Sequence, residues 1–159
     1  MREITMTRNL RLILPALLIA LFCTAVSAGM PGDCLSYEKV SVQLTGRIVI
    51  KTFPGPPNYE SIEEGDKPER TWILHLSKPI CMKADEDFEF NVAESRVSDI
   101  HLSLDADQFR QLRTIMGKGA VTLTGTLFHR FNAHHHTAVL MRVISIKGVT
   151  GPPSTKKTR

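Results

Sequence analysis

The sequence predicts a mainly β domain of five strands, with one helix between the third and the fourth. Three observations carry this. Apolar and polar residues alternate with period two in five separate stretches. A single stretch changes to a helical period. Loops rich in glycine, proline or charge punctuate the rest.

Val40, Val42, Leu44, Ile48 and Ile50 align on one face of the first strand. Gly46 interrupts it, as glycine does where a strand coils or bulges. Pro54, Pro56 and Pro57 are expected to stop it, because proline has no N–H for the ladder. Trp72, Leu74 and Leu76 mark the second strand over residues 71–76, with Ser77 to Cys81 expected to end it. Lys83 to Glu94 is acidic and irregular and reads as a loop. Ile100, Leu102 and Leu104 mark the third strand.

At Asp105 the period changes. Asp105 with Gln108 three residues later has the form of a capping box, Phe109, Leu112, Ile115 and Met116 make an apolar stripe, and Gly117 suits a helix end. Val121, Leu123, Gly125 and Leu127 mark the fourth strand, and Val139, Met141, Val143 and Ser145 the fifth. Strand, strand, strand, helix, strand, strand is the layout of an OB-like Greek-key barrel, whose first strand must curl to serve both sheets. Gly46 suits that duty.

The chain opens with Arg2, Arg8 and Arg11, then a nearly apolar run from Leu12 to Val26, then the small residues Ala25-Val26-Ser27-Ala28. This predicts a signal peptide over residues 1–28, cleaved after Ala28. The apolar run is too short to span a bilayer comfortably. The expected organisation is signal peptide 1–28, a single OB-like domain 29–148 and a disordered tail 149–159. The expected location is the bacterial periplasm or the secreted fraction, with the membrane involved only in export and the mature chain a monomer.

The first 28 residues hold Arg2, Arg8, Arg11 and Glu3. Of 20 basic and 16 acidic residues in the chain, 17 and 15 therefore remain, a net +2. That balance gives no electrostatic support to a nucleic-acid partner. Cys23 leaves with the signal, and the remaining pair, Cys34 and Cys81, reads as a disulfide in an oxidising compartment.

Two loops carry chemistry. Residues 53–70 hold three prolines with Tyr59, Glu60, Glu63, Glu64 and Asp66. Residues 131–136 end in His134-His135-His136. In an OB-like barrel the first and last of the inter-strand loops border the ligand face, so the topology is expected to bring both to one rim. Tyr59, Glu60, Asp66, His134 and His136 are the candidate ligand-binding residues. Neighbours in an extended segment face opposite sides, so His134 and His136 are expected to face the other loop and His135 to face away. Imidazoles beside carboxylates also suit zinc, with His134, His136 and either Glu60 or Asp66 as ligands and His75 and His129 as further candidates. His101 reads as a satisfied sheet histidine. Ser36 and Ser61 lack the setting of a hydrolase nucleophile, and no phosphate-binding glycine loop is present.

Cys34-Leu35-Ser36-Tyr37-Glu38, Phe53-Pro54-Gly55-Pro56-Pro57-Asn58-Tyr59-Glu60-Ser61-Ile62 with Gly65-Asp66, Cys81, Gly125-Thr126-Leu127-Phe128 and His134-His135-His136-Thr137 together resemble a family of small exported bacterial proteins, domain of unknown function 4431. Ala133 and Ala138 stand where the family is expected to carry Gly and Pro. The resemblance implies export and a single small domain, and it implies no reaction. The leading expectation is a binding module for a small-molecule or protein ligand, held between the 53–70 and 131–136 loops. The alternatives are a zinc-dependent hydrolase and a structural or interaction protein of the envelope.

Overall fold

The computed structural model describes residues 34–38 and 40–150. The expected signal peptide, its cleavage point and the tail beyond residue 150 lie outside the described residues. Five strands and one helix follow in the expected order: β1 Ser41–Pro54, β2 Pro68–Met82, β3 Glu94–Ser103, α1 Ala106–Ile115, β4 Ala120–His129 and β5 Val139–Thr150. The sheet closes on itself in the order β1-β2-β3-β5-β4. All its ladders are antiparallel except β3 with β5, where His101, Leu102 and Ser103 pair with Leu140, Met141 and Arg142. α1 is the only helix among the described residues and is too short to cross a membrane.

Closure depends on β1. Its first half pairs with β4 and its second half with β2, and Gly46 belongs to both ladders, opposite Val121 and Leu76. A Cβ there would lie 2.3 Å from the His75 carbonyl oxygen, so no side chain fits at the crossover. Gly125 repeats this on β4, where a Cβ would lie 2.3 Å from the Arg142 carbonyl oxygen beside a register shift.

The interior holds Leu44, Ile48, Leu74, Leu76, Ile100, Leu102, Val121, Leu123, Leu127, Met141 and Val143, most of them on the faces that period two selects. Val40 is exposed and precedes β1. The helix begins as expected. Asp105 accepts from the Gln108 amide while the Gln108 side chain accepts from the Asp105 amide. The Gln108 side chain also donates to the Val143 carbonyl at 2.8 Å, which ties α1 to β5. Only Leu112 of the apolar stripe is fully buried, and Phe109 packs edge-on against Trp72.

Three boundaries differ from expectation. β1 continues to Pro54, which pairs with Pro68. β2 does not end at Ser77. It passes Pro79 through a register shift between His75 and Ile80 and runs to Met82, because a bulge absorbs a residue that cannot donate to the ladder. β5 reaches Thr150, past the expected domain end at 148. Cys34 and Cys81 form the expected disulfide, and Leu35 pairs with Met82 beside it.

Candidate functional site

The loop between β1 and β2 is held from within by Asp66. Its Oδ1 accepts from the Asn58 amide at 2.8 Å, and its Oδ2 from Glu60 and Ser61 at 2.7 and 3.0 Å. Asp66 is only 4% exposed, and the amides from Asn58 and Glu60 hold its carboxyl below the ordinary aspartate value. At the neck, the Gly55 amide donates to the Lys67 carbonyl. Tyr59 stands between these bonds at φ +63°, a left-handed conformation that costs a bulky residue and persists only where its surroundings fix it. Asp66 is therefore a brace that presents Tyr59, and it faces its own loop.

The loop between β4 and β5 turns on Asn132, whose side chain accepts from the His134 amide and whose carbonyl accepts from the His135 amide. The turn lays the histidines over the outer face of the sheet. Ile73, His101, Leu140 and Phe128 are successive cross-strand partners on that face. Ile73, Leu140 and Phe128 are nonetheless buried. β2 is thus covered on both sides of its pleat.

The two loops meet on Glu69, the second residue of β2. Its Oε1 accepts from His134 Nδ1 at 2.9 Å and its Oε2 from His136 Nε2 at 3.0 Å. An ionised carboxylate only accepts, so both nitrogens carry protons. His134 Nε2 and the Tyr59 hydroxyl lie 3.0 Å apart in hydrogen-bond contact, the hydroxyl donating when the imidazole is neutral. Phe53, paired with Glu69 across the ladder, stacks on His136 at 4.5 Å with the planes 2° apart. Burial pushes the Glu69 carboxyl up, and the bonds and charges of His134 and His136 outweigh it and bring it below the ordinary value. His135 points elsewhere, with Nδ1 accepting from the Phe131 amide and the ring edge-on to Phe131 and Phe128. His134 and His136 turn to Glu69 as expected, but His135 does not face away from the other loop, because the turn leaves it lining a cavity with Phe53 and Tyr59.

Of the residues singled out from sequence, Tyr59, His134 and His136 come together. Asp66 does not join them, and Glu60 is exposed and gives only its amide to Asp66. Glu60, expected beside His134 and His136 as a zinc ligand, is not joined to them in the structure. The carboxylate that joins the imidazoles is Glu69, both ring nitrogens of His134 are engaged, and among the described residues no three His, Cys, Asp or Glu side chains are arranged to hold a metal ion. His75 pairs with Asp99, which also binds Lys51, and His129 pairs with Glu94. His101 is not the satisfied sheet histidine expected. Its Nδ1 is buried without a partner, and burial, then the neighbouring His136 and His135, lower its pKa to about 4.

Sequence reasoning missed Glu69. It shares the parity of Thr71 and Ile73, which lie on the outer face of β2 and are yet only 4% and 0% exposed, so alternation along β2 carried no signal for it.

Two cavities share this rim. One of about 450 Å³ lies between Phe53 and Tyr59 on one loop and Arg130, Phe131 and His135 on the other. One of about 360 Å³ lies over Glu69, Trp72, His101 and Phe128. A larger cavity, about 870 Å³, lies elsewhere, beside the disulfide among Leu35, Val42, Leu44 and Ile80. It is apolar and has few polar groups to orient a ligand, so size alone does not make it the better site.

No curated protein and no solved structure matches this chain. A family model described as a domain of unknown function, DUF4431, matches residues 99–147. That segment takes in His101, α1 and the whole histidine loop, and it ends before Thr150. It leaves out Tyr59 and Glu69. Over residues 99–147 the chain is therefore similar to domain of unknown function DUF4431, the family that its loop motifs resemble.

Proposed function

We propose that this chain is an exported binding module with an OB-type barrel, which holds a ligand between the 53–70 loop and the 131–136 loop. The observation that carries the reading is the Glu69 clasp. One carboxylate fixes both His134 and His136, and through them Tyr59, so that two loops distant in sequence form one rim with a cavity between them. Clefts with aromatic walls and a few fixed polar groups are the usual form of small-molecule sites. The ring order, with β1 shared and β3 parallel to β5, supports the OB-type assignment. The basic and apolar start of the chain and the disulfide support export to the periplasm or beyond.

A structural or interaction role in the envelope is the second reading. It is favoured by Phe88 and Phe90, 56% and 68% exposed in the acidic loop after β2.

NMR shift mapping with a mixed set of small ring compounds separates the two. The chain from residue 29, without a histidine tag, is expected to show shifts gathered at Phe53, Tyr59, Phe131 and His135. Shifts gathered at Leu35, Val42 and Ile80, or none with any compound, would overturn the proposal.

A further inference from the structure

We propose that the cavity between the two loops takes a small monoanion, a carboxylate carried on an aromatic or pyranose ring, with Arg130 as its counter-charge and Phe131 as its stacking face. This rests on the loop-site reading and adds the ligand's chemistry.

The cavity of about 450 Å³ has room for one ring and its substituents. Arg130 lines it, and no Asp or Glu does. Glu69, the carboxylate at its edge, turns both oxygens to His134 and His136. Glu60, Glu63 and Glu64 are exposed and lie outside the lining. Arg130 has no carboxylate partner among the described residues. A guanidinium is a rigid fork whose geometry matches a carboxylate. The lining holds no second Arg or Lys, which suits a single negative charge better than a doubly charged phosphate. Tyr59 and Asn132 also line it, and their side-chain oxygens, each already engaged with His134, keep a lone pair to accept from a ring hydroxyl.

The flat component follows from Phe131. It lies at this cavity, 68% exposed, with His135 edge-on at 4.4 Å. An aromatic face left open at the mouth of a cavity, beside Phe53 and Tyr59, is the arrangement that stacks on a flat ring.

The test is an NMR titration of the untagged chain from residue 29 with four probes. Benzoate and glucuronate are the acids, and benzyl alcohol and methyl glucoside are their neutral counterparts. At least one acid is expected to bind tenfold or more tightly than its counterpart, with shifts at the Tyr59 and His135 rings. Tighter binding of benzoate identifies an aromatic ligand, and tighter binding of glucuronate an acidic sugar. Arg130→Gln is expected to remove the preference, Arg130→Lys to keep part of it, and Phe131→Ser to weaken acid and neutral probe alike. Equal binding of acids and neutral probes, or a preference that survives Arg130→Gln, overturns the anion assignment and leaves the loop site standing while the Tyr59 and His135 rings still shift. No shift at those rings with any probe overturns both.

Discussion

Glu69 holds His134 across 65 positions of sequence, Oε1 to Nδ1 at 2.9 Å. That bond joins the start of β2 to the turn before β5, and the second oxygen of the same carboxylate holds His136. Replacing Glu69 by Gln leaves one acceptor for two imidazole donors and removes the charge. Hydrogen bonds to charged groups contribute about 1.5–3 kcal/mol, so Glu69→Gln is expected to cost about 1–3 kcal/mol in denaturant unfolding. Glu60→Gln, at an exposed position outside the clasp, is expected to change almost nothing. Equal effects from the two would remove Glu69 from the centre of the site.

Asp66 is expected to act through Tyr59. Asp66→Ala takes the acceptor from three backbone amides and leaves Tyr59 free to relax from its left-handed conformation. The melting temperature should fall, and hydrogen exchange should quicken at Asn58, Glu60 and Ser61. Unchanged protection of those amides would mean that the loop is held by other means.

Acid should weaken the fold through His101. Its folded pKa, about 4, lies below the ordinary value of 6.5. Between those values the unfolded chain binds a proton that the folded chain refuses, so stability falls as pH falls through this window. His135, also lowered by burial and by His134 and His136, acts in the same direction. His101→Phe should flatten the stability profile between pH 6.5 and 4, while loss from Glu69 and Asp99, whose folded values are also lowered, persists at lower pH. A variant with the parent slope across that window would contradict the assignment.

At Gly125 a methyl group would meet the Arg142 backbone oxygen and the Met141 side chain. Because the nearest atom belongs to the ladder itself, relief means parting β4 from β5. Gly125→Ala is expected to destabilise by at least about 1–3 kcal/mol, the range for overpacked cores. Gly148→Ala, where nothing lies within 4 Å, is the control.

The Cys34–Cys81 bridge closes a loop with a sequence separation of 47. The chain-entropy model puts the stabilisation at about 4 kcal/mol. Reduction should lower the denaturation midpoint correspondingly, and intact-mass spectra with and without reductant should differ by one disulfide. Two free thiols in protein purified without reductant would contradict the pairing.

The order of elements was legible because alternation is set locally: Leu44, Leu74, Leu102, Leu123 and Met141 each declare a buried face from their own neighbours. Gly46 was legible as a crossover because only the backbone's own approach requires a residue without a side chain there. Where a second layer covers the sheet, alternation stops informing. Thr71 and Ile73 look like the outer face of β2 until the histidine loop lies over them, so Glu69 on the same parity passed as one more loop carboxylate. His101 was misread for the same reason. Its burial comes from residues more than thirty positions away, and no local pattern carries that. The strand through Pro79 was obscured because a bulge is chosen by the partner strand.

The most direct measurement of the central claim is a set of intermolecular NOEs from the tightest of the four probes to the untagged chain. The account expects contacts to Phe53 or Tyr59 and to Phe131 or His135 from one bound ligand, so that both loops touch it at once. Contacts confined to one loop, or to Leu35, Val42 and Ile80 beside the disulfide, would contradict it.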